Sequence, residues 1–396
     1  MLEILINKQV SEKEIALLEN GKLVEYYIDE EKSIRKEGNI YIGIVKDIIK
    51  GMQAAFVDIG TEKNSFIHLK DLLPKIDESK QKTEQAQNID INNVIRSGQK
   101  ILVQVKKDSN IQKGARVSTH INLPSKYIVL MPNTNIITVS QKIEDKKEQE
   151  RLIKLVKENI SEGNGAVIRT SAIGKGQEII EDIKNVEKRW NKIETSFKNN
   201  KENKPKLIAK AENIVEKMII DLPEKSIQRI IVNNKKEYEN IIKFKEETKY
   251  LEQTNIELKE NENILEMYDI EKEILKIENR KIWLKCGGFI TIDKTEALTA
   301  IDVNTGKYTG NKNIEQTVYK VNEEATVEIA KQLRLRDIGG IVIIDYIDMH
   351  NEENKKKIQQ LLEEKLKNDR TKTQVEGFTK LDLMEMTRKH ICSHKE

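Results

Sequence analysis

Asp302 and Asn304 stand in Ala300-Ile301-Asp302-Val303-Asn304, and Asp345 closes Ile341-Val342-Ile343-Ile344-Asp345. Carboxylates that end apolar runs are candidates for metal chemistry. Two of them brought together are costly unless a proton or a cation separates them. A hard divalent cation with oxygen ligands fits, and Mg²⁺ takes one or two carboxylates with water and phosphate oxygens. Residues i and i+2 of a strand share a face, so Asn304 points the same way as Asp302 and can orient it. Asp348, three residues after Asp345, faces the opposite side if that strand continues. The plainer reading of any one of these acids is a strand end or a helix cap.

The elements that would position them are legible. Short runs rich in Ile and Val, bounded by Gly or polar residues, read as buried strands. Between the two runs, Ile314, Val318, Val321, Ala325, Ile329 and Leu333 form one apolar stripe at helical spacing. Asn313 with Gln316 suits the start of this helix. Arg334 and Arg336 suit its C-terminus, and Gly339-Gly340 stops it. Strand, helix, strand puts Asp302 and Asp345 at the same ends of two strands in one sheet, where α/β sheets build sites.

The stretches ALTAIDVNTGKYTG, NEEATVEIAKQLRLRDIGGIVIIDYIDM and GFTKLDLMEMTRK resemble the core of the ribonuclease E/G family of bacterial endoribonucleases. The resemblance continues through most of the chain. It implies that Asp302 and Asp345 bind Mg²⁺ and that Asn304 supports catalysis. It also implies a multidomain α+β and α/β fold. An RNase H-like subdomain (1–35 and 215–280) would hold an inserted S1 barrel (36–119) and a 5′-sensor (120–214). A DNase I-like subdomain (281–396) would follow.

Composition sets bounds. The chain has 396 residues, enough for several domains. Charged residues are 34% and aromatics 5%, yet the apolar runs are clear, as a folded chain requires. Net charge is +3 with a pI near 8.4, so a nucleic-acid surface must come from local patches. The first residues, MLEILINKQVSEKE, contain acids and no long apolar core, unlike a signal peptide. No apolar run approaches a membrane span. Cys286 and Cys392 form no disulfide framework, which points to the cytoplasm. With no G-x-S-x-G and no P-loop, serine nucleophiles and nucleotide hydrolysis have no support.

In chain order, short strands with an Asn20-Gly21 turn open the sequence. From Gly38, alternating patterns suggest a small antiparallel barrel resembling an S1 domain, an oligonucleotide-binding fold. By resemblance, Phe56, Phe66 and Lys113 contact RNA. Read alone, Phe56 in Ala55-Phe56-Val57 is barrel core. Residues 79–97 read as a polar loop. Tyr127–Pro132 and Gly165–Thr170 read as strands, with helices around Lys146–Glu158 and Gln177–Phe197. AVIRTSAIGKG is similar to the family's sensor of RNA 5′ ends. There Arg169 and Thr170 would bind the terminal monophosphate, and Val129 would lie beneath the terminal nucleotide. An arginine fork suits a phosphate; a surface ion pair is the plainer use of Arg169. Two positions depart from the family's pattern. Ser125 stands where glycine is common, and Lys372 where a second arginine is frequent. Arg229–Val232 reads as a strand, with a helix around Lys236–Phe244. Glu246–Glu273 reads as loops and exposed helix. Lys281–Lys285 and Gly288–Asp293 form a hairpin, and Asn351–Lys367 a helix.

The expected function is Mg²⁺-dependent endoribonucleolytic cleavage of single-stranded RNA to products with a 5′-phosphate. It favours 5′-monophosphorylated ends and serves mRNA decay and rRNA processing. The alternatives are an S1-type RNA-binding or ribosome-associated protein without catalysis, and a Mg²⁺ nuclease acting on DNA. Many relatives carry a Cys-x-x-Cys zinc link and a small dimerisation domain. Cys392 with His394 is not that motif, so a structural Zn²⁺ is not expected. The chain reads as the short form of the family, a monomer or a homodimer held by its catalytic units.

Overall fold

The computed structural model describes residues 1–30, 36–72, 90–109, 113–223, 226–306 and 314–391. The chain divides into two units, Met1–Ser33 with Asp221–Glu396, and Ile34–Ile220. The class is mixed α/β with a closed five-stranded barrel.

In the first unit, Leu2–Lys8 and Glu12–Glu19 pair antiparallel, and Lys22–Glu30 adds a third strand. Asn20 and Gly21 join the last two with φ of 51° and 75°. Positive φ at both central residues is the tight hairpin turn that Asn-Gly favours. Leu2–Lys8 also pairs parallel with Ile227–Val232, and that strand with Asn255–Leu258. Leu5, Ala16, Leu18, Leu23 and Ile231 form the core, together with Ile264, Leu265 and Ile270. The stretch expected as loops and exposed helix therefore holds an edge strand and three buried anchors. Its helices, Ile264–Met267 and Glu271–Leu275, are too short for a period to show.

A second sheet of the same unit runs in the order Lys281–Trp283, Phe289–Lys294, Leu298–Asn304, Gly340–Asp345, Leu383–Arg388, Thr373–Phe378. Leu298–Asn304 and Gly340–Asp345 are its parallel pair, connected through the helix Ile314–Leu335. Alternation sorts the faces. Ile290, Ile292, Ile301, Val303, Val342, Ile344, Met384 and Met386 pack with Val321, Ala325, Ile329, Leu333, Ile358 and Leu362 of the helices. On the other face, Thr291, Ala300, Asp302, Asp345 and Glu385 are exposed or half-buried.

Buried charge ties the first unit together. Arg388 donates to Asp369 Oδ2 at 2.7 Å and to Asp337 Oδ1 at 2.8 Å, with all three buried. Glu25, 1% exposed, accepts from Arg334 at 3.0 Å, Arg370 at 2.8 Å and the Tyr27 hydroxyl at 2.8 Å. Arg334, expected to serve the helix dipole, thus pairs with an acid of the first sheet. Leu335 beside it enters that sheet's core.

In the second unit, Ile40–Ile49, Ala54–Asp58, Ser65–His68, Arg116–Ser118 and Lys100–Lys107 form the barrel, closed by pairing of the first and last. Val45, Ala55, Val57, Ile67, Val103, Val105 and Val117 fill it. Lys206–Ala209 adds a strand beside Ile40–Ile42. A four-stranded sheet follows, in the order Ile137–Val139, Asn164–Ile168, Ile128–Pro132, Leu123–Pro124. The helices Lys146–Asn159 and Gln177–Asn199 pack on it through Leu152, Val156, Ile179, Ile183, Val186 and Trp190.

Burial pushes the Glu25 carboxyl up, but the charges of Arg370 and Arg334 and the hydrogen bonds from Arg370 and Tyr27 outweigh it. The net result lies below the ordinary carboxylate value. A depressed folded pKa contributes stability above the unfolded value near 4.5, lost as pH falls through the folded value. Glu25→Ala takes from Arg334 and Arg370, both half-buried, the buried acid they share. It is expected to cost about 3–5 kcal/mol at pH 7 by urea unfolding. The gap from wild type should shrink once pH drops below the Glu25 transition; an equal gap at every pH would contradict the assignment.

Candidate active site and RNA-contact surfaces

Asp302 and Asp345 are register partners on the two parallel strands. Adjacent strands lie about 4.8 Å apart, so two carboxylates stand side by side on the open face. The opposite face of the same strands is apolar and packed on helices. Asn304 shares the face, and its Nδ2 donates to Asp302 Oδ2 at 2.5 Å. The amide thus fixes the rotamer of one carboxylate while leaving its second oxygen outward. The Asp345 carboxyl is raised above its ordinary value by partial burial, then by the charges of Asp302 and Asp348.

The strand does not continue to Asp348. It ends at Asp345, and the exposed Asp348 lies in the loop that follows. The opposite-face assignment for Asp348 therefore loses its premise, and its charge acts on Asp345. What holds this loop is Asn322, fully buried in the helix Ile314–Leu335. Its Nδ2 donates to the Ile347 carbonyl at 2.8 Å, and its Oδ1 accepts from the Ile347 N–H at 3.1 Å. Thr326 Oγ1 and the Tyr346 hydroxyl lie 2.9 Å apart, and Thr326 donates to the Asn322 carbonyl at 2.7 Å. The sequence carries a signal for Asn322, a polar residue next to Val321 on an otherwise apolar helix face.

Among the described residues, no group of three or more His, Cys, Asp or Glu side chains is placed to hold a metal ion. Asp302 and Asp345 form a two-carboxylate oxygen set. Cys286 is a free, half-buried thiol whose backbone N–H donates to Glu324 Oε2 at 2.9 Å. Cys392, His394 and the proposed cap Asn313 lie outside the described residues, as does most of the polar loop 79–97.

On the barrel, Phe56 and Phe66 are register partners with ring centroids 6.3 Å apart, edge to face. Both are half-buried, while Ala55, Val57 and Ile67 between them point inward. Phe56 is therefore an outer-face ring and not barrel core, because a strand alternates its side chains. Gly114 lies so close to Asn64 that a Cβ there would meet the Asn64 carbonyl oxygen at 1.9 Å. That approach brings the exposed Lys113 to the Phe66 strand, where Phe66 N–H donates to the Ala115 carbonyl at 2.7 Å. Arg116, beside Phe66, is engaged by Asp71 at 2.8 Å.

Arg169 follows the strand Asn164–Ile168, and Thr170, exposed, begins a short 3₁₀ turn. Arg169 N–H donates to the Tyr127 carbonyl at 2.8 Å, and Nη1 to the Ser125 carbonyl at 2.8 Å. Val129, half-buried, pairs across from Val167 and Pro124. These residues sit together at one end of the four-stranded sheet. Ser125 is buried and is not among the residues of positive φ. Its backbone therefore demands no glycine. Lys372, exposed, belongs to the other unit, where its carbonyl accepts from Lys389 N–H at 2.9 Å.

The comparisons with known proteins agree with this architecture. A family model described as the Ribonuclease E/G family matches residues 122–391. Ribonuclease G of Escherichia coli strain K12 is 40% identical over 396 residues, covering 98% of this chain and 79% of that protein. Ribonuclease G of Haemophilus influenzae is 37% identical over 393 residues, with the same two shares. Ribonuclease E of Buchnera aphidicola subsp. Schizaphis graminum is 34% identical over 407 residues, 99% of this chain and 41% of that protein. No helix among the described residues is long and apolar enough to cross a membrane. On the matched length and these identities, the chain belongs to the ribonuclease E/G family.

Proposed function

We propose that this protein is a Mg²⁺-dependent endoribonuclease of the cytoplasm that cuts single-stranded RNA, in mRNA decay and rRNA processing. The observation that carries the reading is the register pairing of Asp302 with Asp345 on an exposed sheet face, with Asn304 bonded to Asp302. Two adjacent carboxylates, one of them raised by partial burial and then by its acidic neighbours, fit a hard cation that completes its shell with water and phosphate. When bound, such an ion neutralises charge on the phosphodiester and lowers the pKa of water. The chain's own part is to hold Asp302 through Asn304, hold the Asp348 loop through Asn322, and keep the face open to a polymer. The five-part division into RNase H-like, S1, sensor and DNase I-like pieces belongs to the same proposal. Phe56, Phe66 and Lys113 would grip the strand, since outer-face rings can stack bases and a lysine tracks phosphate. Arg169 and Thr170 would take a 5′-monophosphate over Val129, the arginine through its fork.

Asp302→Asn and Asp345→Asn are expected to abolish nearly all cleavage of a labelled single-stranded RNA while leaving RNA binding intact. Asp348→Asn should give a partial loss, because it removes charge near Asp345 and no ligand. EDTA should stop the wild-type enzyme and Mg²⁺ restore it, and the matching single-stranded DNA should survive. Cleavage indifferent to EDTA, or equal cutting of the DNA, contradicts the reading.

Phe56→Ala should weaken RNA binding by about 1–3 kcal/mol in a folded barrel. Ile67→Ala, which empties a core position, should instead cost about 2–5 kcal/mol of stability. Thermal unfolding beside a binding titration separates the two. If Phe56→Ala unfolds the barrel as Ile67→Ala does, the ring is structural.

A 5′-monophosphorylated RNA should be cut faster than the same RNA with a 5′-hydroxyl or triphosphate. Arg169→Ala should remove the difference. Equal rates on all three ends in the wild type would show that Arg169 senses nothing.

A further inference from the structure

The face that carries Asp302 also carries an aromatic pair for which the site so far has no use. Trp283 and Phe289 are register partners on the hairpin, and Phe289 is the register partner of Asn304. Directly opposed residues share a face, so Trp283, Phe289 and Asn304 make one cross-strand row. The neighbouring row is Lys281, Thr291, Asp302 and Asp345. Between the rows, Ile282, Ile290 and Val303 belong to the core on the other side. The rings of Trp283 and Phe289 meet edge to face at 5.3 Å. Lys281 Nζ stands 4.1 Å from the Trp283 ring centroid and 3.5 Å from that of Phe289.

Trp283 is 60% exposed, on an edge strand of three residues. Burial therefore explains little of its presence. The other tryptophan, Trp190, is 5% exposed and anchors a helix. An exposed indole with an ammonium group against it offers a base a flat apolar face and a phosphate a positive charge. The Trp283 strand lies two strand spacings from that of Asn304 and Asp302, about 10 Å. A nucleotide flanking one held at the carboxylates can span this.

We propose that Trp283, backed by Phe289 and Lys281, is a stacking ledge for a base of single-stranded RNA next to the phosphodiester at Asp302 and Asp345. The inference rests on the function proposed above, because the ledge shares its sheet face with those acids. Stacking makes it tolerant of base identity, so it positions the strand and does not select a sequence.

Asp345→Asn protein, which should bind RNA without cutting it, is titrated with a short single-stranded RNA. Tryptophan emission and the anisotropy of labelled RNA are read together. Since Trp190 is buried, the exposed Trp283 should report, and its emission should be quenched as RNA binds. Trp283→Leu in the same background should remove the quench and weaken binding about 5- to 150-fold, while Trp283→Phe keeps most of the affinity. RNA binding with unchanged emission, or equal affinity for Trp283→Leu and its parent, overturns the ledge alone. No RNA binding by the parent at all overturns the proposed function and the ledge together.

Discussion

Repulsion between two carboxylates sets the terms of this site. Asp302 and Asp345 are locked side by side by a parallel register in which every neighbouring pair from Leu298 with Ile341 onward is fixed. Neither can retreat without sliding a strand, and sliding by one residue would turn Ile301, Val303, Val342 and Ile344 out of their core. Burying one such side chain is worth about 1.5–3 kcal/mol. The apolar face thus holds together what the polar face would separate. The Asp345 carboxyl is raised in consequence, first by its partial burial and then by the charges of Asp302 and Asp348.

The same logic extends behind the face. The helix that crosses between the two acid strands is inserted at one end by Leu335 and Arg334, which meet the core and Glu25 of the N-terminal sheet. Toward its other end Asn322 fastens the loop after Asp345. Buried ion pairs of this kind add little net stability compared with apolar packing, but they penalise any other arrangement. Arg388 between Asp337 and Asp369 does the same for the strand beside Asp345. A helix so fixed transmits its position to the site.

In the second unit, half-buried and exposed side chains are mounted on apolar scaffolds. Val57 and Ile67 fill the barrel while Phe56 and Phe66 stay outside it. Ile128 and Ile168 belong to the core beneath the four-stranded sheet, while Val129 is half-buried and Arg169 follows the strand end. Arg169 is oriented by the Ser125 carbonyl, which accepts from its Nη1. The Ser125 contact uses the backbone carbonyl, which a glycine would carry equally.

Sequence by itself determined much of this protein. Its spaced apolar residues gave the strands that end in Asp302 and Asp345, the helix between them, and the Asn20-Gly21 turn, because period and turn chemistry are local. The i+2 spacing of Asn304 likewise contained its bond to Asp302. The tertiary structure alone decided where chemistry depends on partners distant in the chain. It moved Phe56 from core to surface, since only barrel closure tells the two faces of a strand apart. It ended the strand at Asp345 and put the charge of Asp348 to use. It found Asn255–Leu258 as a strand, because an edge strand of four residues is too short to show a pattern and is specified by its neighbour. It also turned Arg334 from a helix end toward Glu25, 309 residues away in the chain, a pairing no local rule could supply.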